Sequence, residues 1–181
     1  MYYIFLAHGF EELEAITVID MLRRAKIDVR TVSINDKIKV TGAHNITINT
    51  DLLIKDLSSK NIDGIILPGG MPGSTNLKND STLTKLIFEN FHRGKLIAAI
   101  CAAPIVLAKA NILQDIQATC YPSFENQLTG AIISDEKVII DKNVITSKGP
   151  GTAINFGFEL IKYISDDLNA KSVINGMLVN I

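Results

Sequence analysis

The chain has 181 residues, 47% of them hydrophobic, with 18 lysines and arginines against 19 aspartates and glutamates. A net charge of −1 offers no basic surface for nucleic acid or an anionic membrane, and no stretch is long and apolar enough to span a bilayer. Two cysteines, Cys101 and Cys120, are too few for a disulfide scaffold, and no Cys/His cluster has zinc-ligand spacing, so neither a structural metal nor a cofactor is expected.

The N-terminal run is apolar but lacks a basic start and meets His8 and three glutamates, so Tyr2–Ala7 reads as a first strand rather than a signal peptide. A cytoplasmic, reducing setting is the matching expectation. A helix is predicted over Glu12–Ala25, where Leu13, Ile16, Ile19 and Leu22 recur at helical spacing. A strand follows at Val29–Ser33. Short alternating segments at Lys39-Val40 and Ile46–Ile48, with Gly42 between them, predict a β excursion at one sheet edge. Gly64–Leu67 is apolar at every position, as expected for a strand covered on both faces. Next come a helix at Leu83–Arg93, a strand at Leu96–Ile100 and a helix at Pro104–Ala110. A short pair, Ala131–Ile133 and Lys137–Asp141, precedes a strand at Val144–Ser147, a helix at Thr152–Ile164 and an amphipathic segment at Ala170–Val179. This alternation implies an α/β fold with a doubly wound, mostly parallel sheet. With no repeat, linker or low-complexity segment, residues 1–181 are expected to form one domain.

Ligands in such sheets bind beyond the carboxyl ends of the strands, and three features converge there. Cys101 ends a buried strand and is followed at once by Ala102-Ala103-Pro104 and a helix. A nucleophile elbow needs this arrangement: a strained turn, small neighbours and a side chain aimed at a helix start, where the dipole favours a thiolate. A packing cysteine fits the local sequence equally well. The second feature is His8 through Glu14 after the first strand. A carboxyl at Glu14, buried beside a thiol, would have a raised pKa and hold a proton. Spacing alone does not choose it over Glu11 or Glu12, which suit a solvated first turn. The third is Gly69-Gly70, where the backbone can approach a ligand closely. The amides of Gly70 and Ala102 could form an oxyanion hole for a carbonyl attacked by Cys101, or Gly-Gly is a plain turn. Thr152, after a glycine-containing turn, is a candidate helix cap. His8 faces the site or the solvent, His92 suits a helix end, and Cys120 reads as a packing residue.

Taken together, Gly9–Glu14, Leu22–Ala25, Leu67–Gly70, Leu96–Pro104 and Thr146–Thr152 resemble the DJ-1/ThiJ/PfpI superfamily, in its DJ-1-like branch, in family order and over nearly the whole chain. The resemblance implies a flavodoxin-like sandwich and a homodimer. It implies that Cys101 is the reactive, oxidisable cysteine, that Glu14 is the protonated carboxyl beside it, and that the Gly70 and Ala102 amides surround the sulfur or a substrate oxygen. Arg24 matches a family arginine that helps form an anion-binding spot near the dimer interface, and His44 stands at a second basic position of that spot. The activities implied are glutathione-independent glyoxalase or deglycase-like hydrolase chemistry on small dicarbonyls, redox sensing in oxidative stress, and chaperone-like holding. One departure is Tyr121, which occupies the position where many members carry a histidine. With an unperturbed pKa near 10, a tyrosine is a poor general base, so a cysteine protease is not expected. Proton transfer then falls to Glu14 or to Cys101 itself, and the alternative is a sensor whose Cys101 is oxidised to sulfinate without turnover.

Overall fold

A computed structural model describes residues 1–58 and 61–180. Five apolar runs become the parallel core of a seven-stranded sheet: β1 (Tyr2–Leu6), β2 (Val29–Ser33), β6 (Gly64–Leu67), β7 (Leu96–Ile100) and β11 (Val144–Ser147). Two more strands complete it, β5 (Leu52–Leu53) beside β2 and β10 (Val138–Asp141), which alone runs antiparallel, against β11. The order is β10-β11-β7-β6-β1-β2-β5. Register aligns Tyr2 with Val29 on one side and Gly64 on the other, and Gly64 in turn with Leu96. The chain reverses its winding direction at β1/β6, the switch point of a flavodoxin-like sheet.

Helices cover both faces. α1 (Glu12–Arg24), α5 (Ala153–Ile164) and α6 (Asp167–Gly176) lie on one, and α2 (Gly73–Asn79), α3 (Ser81–His92) and α4 (Pro104–Lys109) on the other. Because strands alternate their side chains, β1 sends Ile4 and Leu6 toward Met21, Leu22 and Phe156, and Tyr3 and Phe5 toward Leu83, Ile87 and Val106. Each such fully buried side chain contributes about 1.5–3 kcal/mol relative to exposure.

The structure corrects several boundaries. Asp80 caps α3 by accepting from Leu83 N at 2.8 Å, so the helix starts at Ser81. Asp166 caps α6 through Asn169 N at 2.8 Å, so that helix starts at Asp167 and ends at Gly176. Thr152 gives α5 no side-chain cap. Its hydroxyl bonds Ser147 Oγ at 2.7 Å and Gly149 O at 2.9 Å, tying the preceding loop together. The Leu13/Ile16 stripe is not core: these two are 53% and 43% exposed, and α1 buries Ala15, Val18, Ile19, Met21 and Leu22 instead. The expected excursion is a hairpin of β3 (Lys39–Thr41) and β4 (Thr47–Asn49), hydrogen-bonded as its own two-stranded sheet. It folds over the start of α1, with Ala43 N donating to Phe10 O and Gly9 N to Thr41 O, both at 2.8 Å. The sequence reading missed β5, α2 and β8 (Gln117–Ala118), which pairs with β9 (Ile132–Ile133).

Candidate active site

Cys101 follows β7 directly and takes a left-handed backbone, with φ of 65°. For a non-glycine residue this costs about 1–3 kcal/mol, held by its surroundings. Two hydrogen bonds hold it: Cys101 N donates to Ser147 O at 2.9 Å, and Tyr121 N donates to Cys101 O at 2.8 Å. Pro104 occupies the first turn of α4, where its missing N–H leaves nothing unpaired. The elbow thus lifts the thiol out of the sheet between β6 and β11, 8% exposed.

Glu14 reaches the same point from α1 and is fully buried. Its Oε2 accepts from Gly69 N at 2.7 Å. Its Oε1 has no nitrogen or oxygen donor, and the Cys101 thiol is the group that couples to the carboxyl. Of the three clustered glutamates, it is therefore Glu14 that meets the cysteine. Burial pushes the Glu14 pKa up to about 7, against the Gly69 and Cys101 hydrogen bonds, while the Glu11 charge adds to the rise. Burial and the Glu14 charge likewise push the Cys101 thiol up, to about 12, opposed by the Ala102 and Gly70 amides. Burial and an ionised neighbouring carboxylate disfavour a thiolate here, while the elbow amides favour one.

Gly69 is pinched between the two partners. A Cβ there would lie 2.6 Å from Cys101 Cβ and 2.8 Å from Glu14 Oε2. Gly70, with φ of 90°, turns its backbone against Gly9 and Glu11 and brings its amide to the sulfur. The cleft above the sulfur measures about 250 Å³. Met71, Tyr121, Phe124 and Pro150 wall it, and Glu11 lines one side. Tyr121 is 46% exposed and stands edge-on to Phe124, with centroids 6.5 Å apart. A larger groove of about 720 Å³, between β10, α5 and α6, holds no cysteine.

Within one chain, the two basic residues expected at an anion spot near the dimer interface are each paired with carboxylates. Arg24 lies ten residues beyond Glu14, about 15 Å along α1 at 1.5 Å per residue. It pairs with Asp20 at 2.6 Å. His44 sits on the hairpin turn, with Nδ1 2.9 Å from Glu12 Oε2 and 3.7 Å from Glu11 Oε2. Glu11, Glu12 and His44 place ligand atoms within 4.8 Å of one another, but buried Glu12 is already satisfied. Its Oε1 accepts from His44 N at 2.7 Å and Ile46 N at 3.3 Å, and its Oε2 meets the His44 ring, so the group is complete without an ion. His8 is exposed, its Nδ1 accepting from Thr41 N at 3.1 Å. His92 binds Phe88 O at 2.8 Å within α3. Cys120 is buried in the core, its thiol pushed up to about 11 by that burial. The site residues that sequence reasoning missed are Met71, Phe124 and Pro150. Met71 and Phe124 lie on irregular loops and Pro150 opens a single 3₁₀ turn, so no periodicity reveals which way they face.

The family model described as DJ-1/PfpI family matches residues 2–163. The chain is 38% identical over 161 residues to DJ-1 homolog B of Arabidopsis thaliana, covering 88% of this chain and 37% of that one, so it spans well under half the length of that plant relative. It is 33% identical over 166 residues to a glutathione-independent glyoxalase of Caenorhabditis elegans, covering 91% and 88% of the two chains. The solved structure of oxidized Toxoplasma gondii DJ-1 superposes with a TM-score of 0.95 at 34% identity, covering 99% of this chain and 98% of the other.

Proposed function

The chain belongs to the DJ-1/PfpI family, and from that premise we propose that it is a cysteine-dependent enzyme that converts methylglyoxal to lactate without glutathione. Cys101 is the nucleophile and Glu14 the proton acceptor and donor. The observation that carries this reading is the buried Glu14 carboxyl coupled to the Cys101 thiol, with the Gly70 and Ala102 amides directed at the sulfur. The C. elegans glyoxalase lends the substrate class.

From a protonated thiol, attack needs a base. As Cys101 Sγ bonds to the aldehyde carbon, Glu14 takes the thiol proton, and the oxygen of the opening C=O bond gathers charge beside the Gly70 and Ala102 amides. That oxygen then receives the proton, giving a hemithioacetal. Glu14 next removes the proton on the former aldehyde carbon, giving an enediol, and returns it to the neighbouring carbon, giving a lactoyl thioester. Water cleaves the C–S bond, releasing lactate and the thiol. The sum is methylglyoxal plus water, with no external oxidant or reductant. A carboxyl whose pKa is about 7 is suited to both proton steps at neutral pH. Tyr121 walls the cleft and takes no proton. Deglycase-like hydrolysis of adducts from the same dicarbonyls uses the same residues. The reading also includes one domain over residues 1–181, a homodimer and a cytoplasmic setting. Among the described residues no helix is long and apolar enough to cross a membrane.

The test is lactate formation from methylglyoxal in amine-free buffer without glutathione, comparing reduced protein with Cys101→Ser. Lactate is expected from the cysteine form alone, and no lactate above the variant overturns the reading. A second reading, favoured by the unpaired Glu14 Oε1 beside the sulfur and by an oxidized structural neighbour, is a redox sensor. In it peroxide oxidises Cys101 to a sulfinate that protonated Glu14 holds by donating a hydrogen bond. Intact mass after peroxide titration, with Cys101→Ser as control, tests it.

A further inference from the structure

The wall of the cleft carries a second oxidisable sulfur. Met71 follows Gly70 directly, on the loop between β6 and α2, and lines the cleft together with Cys101, Tyr121 and Phe124. Of the four methionines, Met71 is 49% exposed, Met21 is fully buried, and Met1 and Met177 are half-buried. The Met71 sulfur is also engaged on one side. Thr75, in the first turn of α2, directs its hydroxyl at Sδ from 3.8 Å. The loop that carries both residues is fixed: Ser74 N donates to Gly70 O at 2.8 Å, and the Asn76 side chain donates to His8 O at 3.0 Å. A thioether sulfur has two lone pairs, and oxidation at one or the other gives the two epimers of the sulfoxide. A freely turning methionine gives both. A sulfur held from one side gives mainly one.

We propose that Met71 is a reversible peroxide-modification site, where Thr75 leaves one face of the sulfur open and the sulfoxide formed there makes the wall of the Cys101 cleft polar. The step balances with hydrogen peroxide alone. An Sδ lone pair takes one peroxide oxygen, the O–O bond breaks, and the other oxygen leaves as water. The sulfur loses two electrons and the peroxide gains them. The thioether carries no proton, so its oxidation does not wait on ionisation, whereas a cysteine reacts as the thiolate. The product replaces a flexible apolar side chain with a polar, chiral one. Sulfoxide reductases return it to the thioether, but they do not restore a cysteine sulfinate. The mark therefore stands apart from both readings of Cys101, turnover or stored oxidation.

Cys101→Ser protein, treated with hydrogen peroxide and read by peptide mass, separates the site from the reactive thiol. Met71 is expected to gain one oxygen several-fold faster than Met1, Met21 or Met177, at a rate that stays flat between pH 6 and pH 9. The two epimer-specific sulfoxide reductases, added separately, are expected to remove unequal shares of that oxygen. Thr75→Val keeps the shape and removes the hydroxyl, and is expected to bring the two shares toward equality. Met71 oxidised no faster than Met177, equal shares with Thr75 in place, or unequal shares that persist in Thr75→Val each overturn the proposal. The effect on the cleft is read in protein that keeps Cys101, as the rate of its modification by N-ethylmaleimide. Met71→Gln is expected to react about fourfold more slowly than Met71→Leu, the loss of about one methylene of apolar contact. Equal rates in the two variants overturn the action of the mark on the cleft.

Discussion

Glu14 raises the cost of ionising Cys101, and burial raises the cost of ionising Glu14 by more than its hydrogen bond with Cys101 lowers it, so the consequence is measurable in folding as well as in chemistry. A solvated glutamate titrates near 4.5, and burial moves Glu14 to about 7. Between those values the unfolded chain has lost the proton that the folded chain keeps, so stability falls as pH rises across this window and levels off above it. The shift corresponds to about 3 kcal/mol at pH 8. Glu14→Gln removes the titrating group. Denaturation midpoints measured from pH 4.5 to 8 are expected to show the unmodified chain losing about 3 kcal/mol relative to the variant, while parallel curves would contradict the buried, raised carboxyl. Cys101 does not confuse the result, since its thiol is displaced upward, away from the window. The same substitution leaves the sulfur without a base, so glyoxalase turnover should fall by at least about 100-fold, with loss of the rising limb near pH 7. Sequence reading reached Cys101 through its neighbours, since a buried strand followed by small residues and proline leaves few other conformations. It could not choose among Glu11, Glu12 and Glu14, because that choice depends on how far α1 is rotated against β6.

The same rotation explains what was misread at the level of the helix. Leu13, Ile16, Ile19 and Leu22 are spaced by three, and each step of three turns the helix by about 300°, so the stripe drifts by half a turn from Leu13 to Leu22. The two ends cannot both face the sheet, and the sheet takes Leu22. The five parallel core strands were legible to within a residue, because runs such as Gly64–Leu67 and Leu96–Ile100, buried on both faces, are apolar throughout. The starts of α3 and α6 were not, because Asp80 and Asp166 act through caps and lie outside any hydrophobic pattern. The β3–β4 hairpin shows how a polar contact joins two elements. His44 and Ile46 both donate their amides to Glu12 Oε1, and the His44 ring binds Oε2. The bond to Glu12, then the charges of Glu11 and Glu12, raise the His44 pKa. A raised histidine contributes fully below its ordinary value of 6.5 and loses that contribution as pH rises through its folded value. Amide exchange at His44 and Ile46, referenced to buried β1 amides, is therefore expected to lose a few-fold of protection from pH 6 to pH 9. In His44→Ala that pH dependence should vanish, and a loss that persists in the variant would mean the ring does not latch the hairpin.

At the scale of the whole molecule, the residues misread as core become informative. Leu13 and Ile16 project from α1 at 53% and 43% exposure, and Ile46, on the hairpin held to Glu12, is 55% exposed. The homodimer proposed above is expected to use this face. A second copy meeting it about a two-fold axis would bury the same residues twice. Leu13 and Glu14 are consecutive on α1, one exposed to solvent and the other buried against Cys101. A Leu13→Glu/Ile16→Glu double variant, which keeps good helix formers on an exposed face, should retain its helical circular dichroism and stability curve. Sedimentation velocity is expected to show it as a monomer at concentrations where the unmodified chain is a dimer. A dimer that survives both charges would place the interface elsewhere. If the monomer also turns over methylglyoxal more slowly, the loss should appear in kcat more than in KM. The altered group moves protons in the chemical step, while Met71, Tyr121 and Phe124, which wall the cleft, lie outside α1.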